Sequence, residues 1–232
     1  MRSLLLAGVL IAAGFASESL NAESLDYVVN WPSGLSAGEV TLNSTGLHEQ
    51  NGTVSTHSWS FDLDVDAGVP GFAIRDMYRA TAVGDFCSQQ LEKTTSHGKR
   101  KTEERISFDP QKTTVTRETL HGGGKTEIQV SPCARDPLTF LQFARHEIAQ
   151  GRMPPQQAVV FGAVYQVRMV YSGTQAVTVG SKKVDADRVQ TNIKGPSSDL
   201  TVDLYFARDA ARTPVLMRIP LPLAAFTVEL MR

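Results

Sequence analysis

One stretch of this chain constrains the rest. Asp136 to Gly151 reads DPLTFLQFARHEIAQG, the one convincing helix in a sequence that otherwise alternates like sheet. Asp136 is suited to the N-cap, where its carboxylate can accept from free first-turn amides and meets the positive end of the helix dipole. Pro137 at the first helical position gives up an amide that had no partner. Gly151 supplies a C-terminal stop and Pro154-Pro155 forbid continuation. At about 100° per residue, Phe140, Leu141, Ala144 and Ile148 share an arc that Leu138 and Phe143 widen. Thr139, Gln142, His146 and Gln150 lie opposite. Arg145 sits at the edge of the arc, so its charge needs a partner or an escape to water. An element this apolar must bury most of its girth, and only sheet is available to bury it against.

The flanking segments supply that sheet. Ser24–Trp31 and Glu39–Ser44 are β-rich, and Val54–Val65 places Trp59, Phe61, Leu63 and Val65 at period two. Gly68, Pro70 and Gly71 break this run, and Phe72–Met77 reads as a short helical turn. Tyr78–Val83 resumes strand character. Phe86–Ser96 and Lys101–Phe108 form a hairpin around His97-Gly98-Lys99-Arg100. Thr113–Leu120 and Thr126–Val130 follow. Beyond the helix, Val159–Tyr171 reads as one strand, with Tyr165, Val167, Met169 and Tyr171 on one face. Ala176–Val179, Lys182–Lys194, Leu200–Ala207, Val215–Ile219 and Phe226–Met231 continue the meander. About a dozen short strands and one long helix over residues 136–151 make a mainly β protein.

The N-terminus predicts export. Arg2 is a minimal positive region, and the apolar run Leu4–Phe15 is shorter than the ~20 residues that a membrane helix needs. Cleavage fits after Ala16 or Ala22. Ala22 is preferred because a strand pattern starts at Glu23, giving a signal peptide over 1–22 and one domain over 23–232. No cysteine follows the apolar run, so a lipoprotein anchor is not expected. Cys87 and Cys133 are the only cysteines, and in an exported chain an even pair reads as a disulfide. Two separate buried thiols are the alternative. A formal net charge of −1 gives no reason to expect nucleic acid or an anionic membrane as partner.

Catalytic motifs are approached but not completed. Gly34-Leu-Ser36-Ala-Gly38 has the nucleophile-elbow spelling, yet strand follows it where a helix is required. Thr119–Thr126 departs from a P-loop at its first position and also opens into strand. The five histidines lack metal-ligand spacing, so no metal and no cofactor are expected. Asp62, Asp64 and Asp66 alternate on what reads as a solvated strand face. Asn43 and Asn51 head glycosylation sequons, relevant only to a eukaryotic secretory route.

Three landmarks in order resemble the DUF3108 family, a bacterial exported domain without assigned function. They are Tyr27-Val-Val-Asn-Trp-Pro-Ser-Gly34-Leu-Ser-Ala-Gly38, the helix start Asp136-Pro137-Leu138 with its aromatics and Arg145, and Val202–Asp209 followed by Thr213-Pro214-Val215. Tyr205 stands where that strand often carries tryptophan. The resemblance covers about residues 24–231. It implies a curved antiparallel sheet or half-barrel wrapped around one long amphipathic helix, akin in outline to lipoprotein carriers (LolA-like).

On this reading the chain is a periplasmic, non-enzymatic protein binding an apolar small molecule or lipid. Candidate lining residues are Trp59, Phe61, Phe140, Phe143, Tyr165 and Phe226. The alternatives are a module docking to another envelope protein through a strand edge, or a hydrolase using Ser36, His57 and Asp62.

Overall fold

The structure, a computed structural model, describes residues 18–51, 54–69, 71–221 and 224–231. Strands β1 (Glu18–Asn30), β2 (Ser36–Asn51), β3 (Val54–Val69), β4 (Phe72–Val83), β5 (Cys87–His97), β6 (Arg100–Asp109), β7 (Thr114–Thr119) and β8 (Lys125–Gln129) form one antiparallel meander. Helix α1 (Pro137–Ala149) follows. A second meander then runs through β9 (Gln157–Val160), β10 (Val164–Val179), β11 (Lys182–Lys194), β12 (Asp199–Ala207), β13 (Pro214–Leu221) and β14 (Ala224–Leu230). Pairing of β14 with β1 joins the two into one 14-stranded sheet. The sheet stays open, ending at β8 and β9, and α1 connects those two outer strands.

The sheet curls until the β9 end meets the inner face of the first meander. Val160 N donates to Arg135 O at 2.8 Å and Ser88 N to Ala134 O at 3.1 Å, so Ala134-Arg135 straps β9 to the start of β5. Phe161 reaches Tyr78 on β4, with ring centroids 5.5 Å apart. Inward residues of both meanders, including Leu42, Phe61, Leu91, Ile106, Val115, Val167, Val189 and Phe206, join Phe140, Phe143, Ala144 and Ile148 of α1 in one core. The period-two alternation of the strands makes this possible, since every second side chain faces the helix.

Several expectations need correction. The helix is 13 residues, with Asp136 and Gln150 as caps rather than members. It is not uniformly amphipathic either, because Thr139 and Arg145 are buried with the apolar residues. Not all strands are short: β2, β3 and β10 each run 16 residues. Phe72–Met77 is strand, since Val69 pairs with Phe72 and the β3–β4 hairpin turns within the glycine-proline break. Val159–Tyr171 is not continuous. A tight turn at Phe161-Gly162-Ala163 separates β9 from β10, and Gly162 supplies the positive φ of 83° that this turn needs.

Of the expected signal segment, residues 1–17 lie outside the described residues. β1 already begins at Glu18. Cleavage after Ala16 would leave the strand whole, whereas cleavage after Ala22 would remove Glu18–Ala22 from it.

Cys87 at the start of β5 is bonded to Cys133, three residues before the N-cap. The sequence separation is 46, for which loop-closure entropy gives about 4 kcal/mol of stabilisation. Intact-mass analysis is expected to show no alkylation without reductant and two alkylations after it. A Cys87→Ser/Cys133→Ser variant should unfold at clearly lower denaturant concentration. Two alkylations before reduction would contradict the bridge.

Candidate functional site

The helix is fixed at both ends, and these fixings define the space beside it. At its N-terminus the buried Asp136 carboxylate accepts from Leu138 N at 2.8 Å and Thr139 N at 3.2 Å. It also accepts from the Ser88 hydroxyl of β5 at 2.6 Å. Burial pushes the Asp136 pKa up, and the hydrogen bonds from Ser88, Thr139 and Leu138 offset part of that. Arg135 donates to Asp85 O at 2.6 Å and to Gln157 Oε1 at 2.9 Å, with its guanidinium 3.7 Å from the Phe143 ring centroid.

Further along, Arg145 reaches β1. Its Nη1 donates to Glu23 Oε2 at 2.6 Å and its Nη2 to Glu23 Oε1 at 2.8 Å, a two-pronged pair. Nε donates to Ala211 O at 3.0 Å, tying in the β12–β13 connection. The acidic partner makes Arg145 a latch between helix, β1 and that connection. Tyr27, beside it, donates to Pro214 O at 2.9 Å. Burial raises this phenol's pKa far above its ordinary value, Arg145 opposing and Glu23 adding to the shift.

Held this way, α1 does not fill the concave face. A cavity of about 530 Å³ lies between the helix and the sheet. The helix contributes Leu138, Phe140, Leu141 and Ala144. The first meander contributes Tyr27, Val40, Leu42, Leu63 and Val65, and the second Phe161, Tyr165, Val167, Met169, Ile193, Val202 and Val228. Apart from Thr191 and the two tyrosines, the lining side chains are hydrocarbon or thioether. This volume lies within the ~300–1,000 Å³ usual for small-molecule sites, and the apolar lining is typical of them.

The sequence candidates divide. Phe140 and Tyr165 line the cavity. Trp59, Phe61, Phe143 and Phe226 do not. Trp59 packs on Phe86, with centroids 4.9 Å apart, and fills the space over Gly46. Phe61 is 1% exposed in the core. Phe143 lies under Arg135, and Phe226 rests on Trp31 with centroids 4.4 Å apart. Large aromatic rings fill their own neighbourhoods, and the cavity opens where smaller side chains face each other. The signals that pointed to it were the helix arc of Phe140, Leu141 and Ala144 and the shared face of Tyr165, Val167 and Met169.

Beside the cavity, on the same inner face, cross-strand pairs of β5 and β6 form a polar ladder: Lys93 opposite Glu104, Thr95 opposite Thr102, and His97 opposite Arg100. Glu104 is buried between Lys93 Nζ, at 3.0 Å, and Arg117 Nε, at 3.1 Å. Burial works to raise its pKa, but the hydrogen bonds from Arg117 and Lys93 outweigh this and hold it below the ordinary value. Asp76 takes the Tyr78 hydroxyl at 3.0 Å and faces His97 Nε2 at 3.0 Å.

Ser36, His57 and Asp62 are not brought together. Gly38 pairs with Ala67 and His48 with His57, so at ~3.4 Å per residue Ser36 and His57 are roughly 40 Å apart along the β2–β3 pair. Asp62 faces outward to Arg79, at 3.2 Å. Ser36 opens β2 instead of a helix, and a Cβ on Gly38 would meet Ala67 Cα at 2.3 Å, so the glycine serves close strand approach. Likewise β8, not a helix, follows Gly122-Gly123-Gly124. Among the described residues no group of three metal-ligating side chains converges, and no helix is long and apolar enough to cross a membrane.

Residues 26–231 match the profile of a family described as protein of unknown function, DUF3108. The chain belongs to the DUF3108 family. The helix cap, the opening strands and the Pro214 turn all lie within the span that matches DUF3108. No curated protein matches the chain. A crystal structure from Brucella abortus, described as a beta-barrel-like protein of domain of unknown function DUF1849, is similar at a TM-score of 0.57 and 9% identity. The similarity covers 91% of this chain and 96% of that one, and at this identity it shows a shared fold. The DUF3108 chain thus has a beta-barrel-like neighbour despite its open sheet.

Proposed function

We propose that this protein is an exported, non-enzymatic binding protein of the bacterial periplasm that holds an apolar ligand between α1 and the sheet. The carrying observation is the cavity of about 530 Å³ and its apolar lining. The apolar side chains that line it face a recess instead of one another, so the fold forgoes the roughly 25 cal/mol per Å² that closing this apolar surface away from water would contribute. Retaining it at that cost supports a use for the space. The fixed helix supports a preformed site, because α1 cannot settle into the recess while the Cys87–Cys133 bridge and the Arg145–Glu23 pair hold it.

Export rests on the apolar run Leu4–Phe15 and agrees with the disulfide, which an oxidising compartment sustains. The mature chain is then one domain, in the outline of a sheet curled about a helix that lipoprotein carriers share. The separation of Ser36 from His57 supports the non-enzymatic reading. The envelope-docking reading is less favoured, because edge strand β8 presents exposed Lys125 and Glu127, charges that discourage strand addition.

Titration with a fluorescent fatty acid tests the proposal. Saturable binding with a blue-shifted emission, reversed by an unlabelled apolar competitor, is expected. No saturable signal up to the probe's solubility limit would overturn it.

A further inference from the structure

The cavity ends at a ring with two faces of use. Phe161 lines the apolar cavity, and Lys93 Nζ stands 4.0 Å from its ring centroid. Lys93 in turn lines a second recess of about 210 Å³, with Thr95, His97, Arg100, Thr102 and Glu104. The two spaces are therefore neighbours along one inner face, divided by Phe161 and its ring partner Tyr78. One is hydrocarbon and the other is built from charges and hydroxyls.

The charges in the polar recess are not evenly matched. Glu104 is shared by Lys93 and Arg117, so one carboxylate faces two cations. Asp76 is occupied by Tyr78 and His97. Arg100 carries a third cation, with no ion-pair partner among the described residues. A guanidinium offers five donors in a planar fork suited to carboxylate or phosphate, and an ammonium offers three. Lys93 has one hydrogen-bond partner, Glu104, so it keeps donors to spare.

We propose that the ligand is an anionic amphiphile, its apolar tail in the cavity and its head at the Lys93–Arg100 ladder. This rests on the cavity being a ligand site. The head is defined by charge and acceptor oxygens, which a carboxylate and a phosphate monoester both supply. The tail passes Phe161, and the Lys93 ammonium sits where apolar lining gives way to polar.

Calorimetric titration of the full chain with oleate, monooleoyl lysophosphatidate and oleyl alcohol, each below its aggregation limit, tests this. At least one acid should bind about tenfold or more tightly than the alcohol, the worth of one charge-assisted contact. The better of the two acids identifies the head. In Arg100→Gln and Lys93→Met the acid-over-alcohol preference should collapse toward one, with the thermal transition confirming that each variant folds. Equal binding of acids and alcohol would overturn the head site while leaving the cavity standing. A preference that survives in both variants would overturn its placement. Failure of all three ligands would remove the cavity reading itself and this inference with it.

Discussion

Replacing Glu23 by alanine should destabilise the protein by about 3 kcal/mol, the lower end of the range for breaking a buried ion pair. The size follows from the asymmetry of the pair. The Arg145 side chain is 6% exposed, while that of Glu23 is 26% exposed. Removing Glu23 leaves a guanidinium that water does not reach, with only Ala211 O and Gln142 Oε1 as acceptors. Removing Arg145 instead, as Arg145→Met, leaves a carboxylate that water partly hydrates, and about 1 kcal/mol is expected. The double variant should recover most of the Glu23→Ala loss, since a methionine packs where the charge was. Urea denaturation of the four proteins measures this cycle. A Glu23→Ala cost within the ~0–1 kcal/mol of exposed pairs would show that the contact does not latch the helix.

Filling the cavity is the second large effect. Ile193 and Val228 both line it from the sheet, and each is half-buried. Phenylalanine suits a strand, so Ile193→Phe/Val228→Phe should fold with unchanged or higher stability. The added rings occupy the space the ligand needs, and overpacking costs of ~1–3 kcal/mol translate into about tenfold or greater loss of affinity for an apolar probe. The pair of results is diagnostic. Lost binding with kept stability assigns the space to a ligand, whereas lost stability would mean that the recess is smaller than it appears and already packed.

What could be read from the sequence follows how local each feature is. The helix was legible because Asp136, Pro137 and Gly151 carry their own start and stop chemistry, and the structure keeps Asp136 as the N-cap with Pro137 as the first helical residue. The alternation through Trp59, Phe61, Leu63 and Val65 was legible as strand. The turn at Gly162 was not, because one glycine between Val160 and Val164 leaves the apolar run apparently unbroken. That turn matters most for the site, since it sets Phe161 against Tyr78 and Lys93. Arg145 announced that it needed a partner, but Glu23 lies 122 residues away and only the β14–β1 closure brings it near. The cavity itself depends on how far apart facing strands stand, which no local pattern encodes. Choosing aromatic residues therefore selected Trp59 and Phe61, which fill space, over Val40, Ile193 and Val202, which leave it.

The most direct measurement is native mass spectrometry of the protein purified from its native host, beside the Ile193→Phe/Val228→Phe variant prepared identically. The cavity reading predicts an additional mass on the wild-type protein that is released by organic solvent and absent from the filled variant. A wild-type protein that carries only its own mass, together with no binding of added fatty acid, would contradict it.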